Sequence, residues 1–106
     1  MSNPPLVVVA RMGTTIRPKQ VTKTTSYSAL VTDEVIRANH ATTPFTITLP
    51  AATGSKRYIR VKNIGAASVT VARAGSDTID GATSVVLAQW GKVSLFDAAA
   101  GAWDTH

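Results

Sequence analysis

The chain has 106 residues, no cysteine, and a formal net charge of +5 from eleven basic and six acidic residues. This length predicts one small domain. Without cysteine, neither disulfides nor thiolate metal sites can stabilise it, so self-association is an expected source of stability. One glutamate, five aspartates and two histidines leave few possible catalytic sets, and no serine lies in a Gly-x-Ser-x-Gly motif. The sequence therefore predicts a protein that is not an enzyme and needs no cofactor or metal.

Residues 1–24 are predicted to form an extended basic arm. Three prolines (Pro4, Pro5 and Pro18) oppose regular structure, and the apolar run at 6–10 is a candidate strand too short for a signal peptide or a membrane span. A floppy terminus with solvated charges is the alternative. The residues expected to bind a partner are this run and the spaced cations: Leu6, Val7, Val8, Val9, Arg11, Arg17, Lys19 and Lys23.

Residues 25–106 are predicted to form one all-β domain, because short alternating runs are separated by turn residues. The predicted strands are 27–31, 35–38, 45–49, 57–62, 68–73, 85–89 and 92–97, with an eighth near Trp103. In the run 45–49 apolar residues occupy every second position with threonines between them, which places the two sets on opposite faces. We predict a small antiparallel β-sandwich or barrel-like knob that follows the extended N-terminal arm.

The strand predicted at 85–89 departs from this alternation. Residues 85–88 are all apolar, as expected for a strand that lies between the core and a second surface. Val86 and Ala88 are therefore the predicted oligomer interface.

The loop at 75–81 carries Asp77 and Asp80 between glycines. This is a weak calcium signal, because an EF-hand loop also needs a bidentate glutamate and no glutamate follows Glu34. We favour the interpretation that both aspartates make local side-chain-to-backbone turns around a buried Ile79. His40 is interpreted as a polar loop residue.

The basic residues are concentrated in the first part of the chain. Residues 1–73 carry ten basic and two acidic residues, whereas residues 74–106 carry one and four. This asymmetry favours docking of the basic end on an acidic partner, either a protein surface or a nucleic acid. A platform for single-stranded nucleic acid is less favoured, because only one aromatic residue accompanies its cations; it would consist of Lys56, Arg57, Tyr58, Arg60 and Lys62.

A series of short motifs occupies residues 27–103 in a specific order. FTITLPAA at 45–52 is followed by Gly54, YIRVKN at 58–63, ASVTV at 67–71, GSDTIDG at 75–81 and GAW at 101–103. This order resembles a β-module of tailed-bacteriophage virion proteins, which occurs in fibre, tail and head-decoration proteins. The resemblance implies a virion structural protein that forms a homotrimer.

Among these roles, a capsid decoration (cement) protein is the favoured prediction. A fibre needs a stalk of heptads, Gly-x-y triplets or long β-helical repeats, and this chain offers only the arm. The expected partner is the major capsid protein, at the capsid surface of the virion, after synthesis in the host cytoplasm; no membrane or small-molecule partner is expected. A tail-fibre or tail-tip module that binds a host surface is the first alternative, and a nucleic-acid-binding protein is the second.

Overall fold

The computed structural model of the protein describes residues 17–106, which form ten β-strands and contain no helix. The predicted all-β class is therefore confirmed. The strands are β1 (Gln20–Lys23), β2 (Tyr27–Ser28), β3 (Val35–Ala38), β4 (Phe45–Thr48), β5 (Tyr58–Asn63), β6 (Val69–Ala72), β7 (Thr78–Ile79), β8 (Ser84–Leu87), β9 (Lys92–Ala99) and β10 (Ala102–Thr105).

The first six strands wind as a β-solenoid. Successive strands alternate between two sheets, so that β1, β3 and β5 lie side by side in one sheet and β2, β4 and β6 lie side by side in the other. All four neighbouring pairs within these two sets are parallel. Each coil therefore rises by one strand spacing, about 4.8 Å.

The last four strands close the solenoid with mostly antiparallel pairings. Strand β8 is antiparallel to β6, and β9 is antiparallel to both β5 and β10, whereas the short β7 runs parallel to β10. One sheet thereby gains three strands and becomes six-stranded, and the other gains one and becomes four-stranded.

The predicted antiparallel sandwich or barrel-like knob is wrong in its architecture. Five of the eight strand pairings are parallel, and from β1 to β6 each strand lies in the other sheet from the strand before it. Alternating burial has the same period in parallel and antiparallel strands, so it placed the side chains on faces without revealing the direction of the neighbouring strand.

The hydrophobic core lies between the two sheets. Strands β4 and β6 contribute every second residue to it, and the threonines between those residues point away from it. Ile79 is completely buried, as predicted, and Trp103 is nearly so. The core residues with the lowest exposure are Ile36, Ala38, Ile47, Val69, Val71, Ile79 and Leu95.

Two local predictions differ from the structure. The strand predicted at 27–31 ends at Ser28, because the Asp33 carboxylate accepts a hydrogen bond from the Leu30 amide and turns the chain. The loop aspartates do not make local turns: Asp77 Oδ2 accepts from the Ala52 amide at 2.8 Å, and Asp80 Oδ1 accepts from the Thr105 amide at 2.9 Å. Each carboxylate therefore joins segments 25 residues apart in the chain.

Candidate functional site

The described part of the predicted arm is attached to the domain. Residues 20–23 form β1 and pair with β3. Arg17 and Lys19 are exposed, and Lys23 places its ammonium 4.0 Å from the centroid of the Tyr27 ring. The remaining predicted arm residues lie outside the described residues: Leu6, Val7, Val8, Val9 and Arg11.

Lys19 is held by a buried carboxylate. Its ammonium lies 3.4 Å from Asp33 Oδ1, while Asp33 Oδ2 accepts hydrogen bonds from the Tyr27 hydroxyl at 2.6 Å and the Leu30 amide at 2.9 Å. Burial raises the pKa of Asp33, but these hydrogen bonds and the lysine charge outweigh it and hold that pKa below its usual value. The hydrogen bond to Asp33 raises the pKa of Tyr27 to about 12. One of the predicted arm cations thus already has an intramolecular partner.

The outward face of the four-stranded sheet carries no charged residue at its strand positions. The strand register places Thr46, Thr70 and Val86 in one row across β4, β6 and β8, and Thr48, Ala72 and Ser84 in the next. We call this set, with Ser28 of β2, the neutral face.

The predicted interface residues belong to the neutral face or adjoin it. The Val86 side chain is 64% exposed, and Ala88, just beyond the end of β8, is exposed as well. Leu87 between them is buried and Val85 packs against the core, so β8 does present apolar side chains on both faces. Use of Val86 and Ala88 in an oligomer stays a prediction.

The outward face of the six-stranded sheet has the opposite character. Arg37 of β3 lies opposite Lys62 of β5, which lies opposite Lys92 of β9, and Arg60 points outward one row away. We call these four residues the basic face. Neighbouring cations in the row are one strand spacing apart, about 4.8 Å between backbones.

Aromatic residues adjoin the basic face. Tyr58, Phe96 and His106 pack on one another with ring centroids 4.9 to 6.0 Å apart. The Arg60 guanidinium lies over the Tyr58 ring at 4.9 Å, and the Lys62 ammonium lies 6.0 Å from the Trp90 ring.

The predicted nucleic-acid platform is divided by the structure. Tyr58, Arg60 and Lys62 share the outer face of β5. Arg57 instead lines a cavity of about 180 Å³ at the edge of the sheets, and the Lys56 ammonium donates a hydrogen bond to the Ala98 carbonyl. Sequence reasoning missed Arg37 and Lys92 as partners of the β5 cations, because their proximity depends on the pairing of β3, β5 and β9.

A buried carboxylate organises the wall of that cavity. Asp97 accepts hydrogen bonds from the Thr53 amide at 3.0 Å, the Gly54 amide at 2.7 Å and the Ser55 hydroxyl at 2.7 Å. Burial raises its pKa, but these donors dominate and lower the pKa to about 2. Period two along β9 places Asp97 on the same inward face as Val93 and Leu95, which is a signal that could have identified it.

Within residues 17–106 no three His, Asp or Glu side chains come together as a metal site, and no helix there could cross a membrane. No protein-family model, curated protein or solved structure gave a significant match to this chain.

Proposed function

We propose that this chain is a virion structural protein of a tailed bacteriophage: a homotrimer that decorates the outer face of the head and links neighbouring capsid subunits. The observation that carries the proposal is the separation of charge between the two sheets. A flat β-surface without charges can be buried against copies of itself without desolvating an ion, whereas the opposite sheet stays available for a different partner.

The phage assignment itself derives from the motif order in residues 27–103. The trimeric state implied by that resemblance needs a surface on each subunit that can be buried, and the neutral face offers one. The three subunits would then present three arms and three basic faces to the capsid. Several weak contacts on one trimer would bind more tightly together than singly, because the first contact raises the effective concentration of the others. Trimers bound at many sites would then stabilise the particle by mass action.

The trimer is tested by the substitution Val86→Lys. Three buried ammonium groups near one interface have no carboxylate partners, so we expect association to weaken by more than 100-fold, which corresponds to a total of about 3 kcal/mol or more. Sedimentation equilibrium measures the mass, which should fall from three chains to one. The matched control is Val35→Lys, which adds the same side chain to the outward face of β3 and should remain trimeric. A monomeric wild type, or a trimeric Val86→Lys variant, would contradict the proposal.

The contribution of the arm to head binding is tested by deletion of residues 1–16. This truncation removes the predicted apolar strand and Arg11 but leaves β1 paired with β3. If the run at 6–10 adds a strand to a capsid subunit, we expect occupancy of undecorated heads to fall at least tenfold in co-sedimentation. A variant with serine at residues 6–9 and Arg11 retained separates the apolar contribution from the charge. Unchanged occupancy by the truncated protein would exclude a role for these residues.

A fibre or tail-tip module is the second candidate, and the solenoid favours it. Solenoid coils can be extended by stacking, so such a module fits at the end of a longer fibre. The coils of this chain rise only about 15 Å at one strand spacing per coil, which suits a tip rather than a stalk. Immunogold labelling of virions separates the two roles: label over the whole head supports decoration, and label confined to the tail supports the fibre module.

A further inference from the structure

No residue of the basic face forms an ion pair within the described residues. Lys19 and Asp33 form the only ion pair found in residues 17–106, and neither lies on this face. Glu34, whose carbonyl accepts from the Arg60 amide, lies beside the face but forms no ion pair with it. Among outward strand positions the nearest acid is Asp104 of β10, opposite Phe96. Asp104 is two strands and two residues from Arg60, about 12 Å, and farther from Lys92, which is beyond the screening length of about 8 Å at physiological salt.

The row of cations on the basic face destabilises the sheet through repulsion between like charges. Like charges directly opposite on adjacent strands are destabilising, and Arg37, Lys62 and Lys92 form such a row on three adjacent strands. A partner that supplies negative charge would remove this repulsion. The face is therefore better suited to a complex than to solvent.

The packing of the aromatic residues selects among acidic partners. Stacking of successive bases needs successive free rings. Here Arg60 covers Tyr58, and Tyr58, Phe96 and His106 occupy one another's faces and edges. Trp90 is more open than Tyr58, with exposures of 61% and 36%, and is not one of the three rings that pack together. The chemistry of this face accordingly favours carboxylates over a nucleic-acid strand.

The spacing of the cations fits an extended polypeptide. Arg60 and Lys62 are two residues apart on one strand, so they are about 6.6 Å apart along its direction. Alternate side chains of an extended acidic segment have the same repeat. Arg37 and Lys92 lie one strand to either side of Lys62 and would contact carboxylates at the margins of such a segment.

We propose that the basic face binds an extended acidic segment of a partner protein, with Arg60 and Lys62 meeting alternate carboxylates and with Arg37 and Lys92 flanking them. The inference rests on the proposed function for the identity of that protein, which would be the major capsid protein. The charges and spacing of the basic face are independent of the proposed function.

The surface is tested with a fluorescent poly-L-glutamate peptide as the probe. In fluorescence anisotropy at about 50 mM salt we expect wild-type binding, and at least tenfold weaker binding when salt is raised to about 300 mM. A variant with all four basic-face residues changed to glutamine should lose at least tenfold in affinity at low salt, with an unchanged circular dichroism spectrum. The control removes the three cations that lie outside both the face and the predicted arm, namely Lys56, Arg57 and Arg73, and should bind like the wild type. Equal losses in both variants would show an effect of net charge alone and would overturn the proposal.

Two further measurements distinguish failure of the inference from failure of the proposed function. If the basic-face variant occupies undecorated heads as well as the wild type does, the inference fails and the decoration role stands. If the wild type does not bind heads but binds poly-L-glutamate through this face, the decoration role fails and the acidic-segment surface stands. Tighter binding of oligo-dT than of poly-L-glutamate would overturn the inference in favour of nucleic acid.

Discussion

Replacement of Asn63 by aspartate is expected to destabilise the domain by about 3–5 kcal/mol, since a buried group would lose its donors and gain an uncompensated charge. The Asn63 side chain has no exposed surface. Its amide nitrogen donates to the carbonyls of Ala67 at 2.9 Å and Leu87 at 3.0 Å, and its amide oxygen accepts from the Gly65 amide at 3.0 Å. Aspartate has nearly the same shape, but its ionised carboxylate would face two carbonyl oxygens without a proton to share.

The effect is large because Asn63 joins the parallel coils to the antiparallel closing strands. Its backbone amide donates to the Gly91 carbonyl and its carbonyl accepts from the Trp90 amide, so it connects the turn after β5 with the end of β8 and the β8–β9 turn. Urea denaturation at pH 7 measures the loss. Asn39→Asp is the matched control, because the same change at an exposed residue should alter stability by less than 0.5 kcal/mol, roughly the range for surface substitutions. A loss below about 1 kcal/mol at Asn63 would contradict the assigned role.

Replacement of Asp97 by asparagine is expected to cost about 2–4 kcal/mol at pH 7, because the amide group cannot accept all the hydrogen bonds that the carboxylate accepts. The donors come from Thr53, Gly54 and Ser55, so the loop before β5 would lose its anchor on β9. Asp104→Asn is the matched control, since Asp104 is an exposed carboxylate on the neighbouring strand.

The lowered pKa of Asp97 predicts that the stability of the domain falls at low pH. The pKa of Asp97 is about 2 in the folded protein, below the value of about 3.9 for an unfolded aspartate. The unfolded chain therefore binds the proton first as pH falls, and the stabilisation present above about pH 4 is lost as pH approaches 2. We expect the stability difference between wild type and Asp97→Asn to shrink over this interval in urea titrations. A difference that stays constant from pH 7 to pH 2 would show that the charge of Asp97 is not responsible.

The positions of most strands could be predicted because the alternation of apolar and polar side chains involves only consecutive residues. The predicted run 45–49 coincides with β4 to within one residue, and its apolar residues face the core with the threonines on the other face, as the alternation predicted. Strand β1 was not predicted as a separate element, because its polar tetrapeptide QVTK has one strongly apolar residue, and β7 has only two residues. Both are strands because neighbours supply their hydrogen-bond partners.

The coils could not be recognised from a repeat. Along the six-stranded sheet, 15 residues separate Gln20 from its partner Val35, whereas 25 separate Val35 from Arg60. A solenoid is recognised in sequence by a fixed period, and connections of unequal length remove that period without disturbing the stacking of strands. The antiparallel sandwich was predicted instead from short alternating runs separated by turn residues.

By itself, the sequence determined the all-β class, the residues that face the core, the outward position of Val86 and the uneven distribution of charge, because each depends on composition or on side chains a few residues apart. Only the tertiary structure decided that the strands stack as parallel coils, that Asn63 and Asp97 are the buried polar anchors, and that Arg37 and Lys92 join the β5 cations on one face. These features depend on contacts between residues 15 to 44 positions apart, and the alternation of side chains along a strand does not specify which strand will lie beside it.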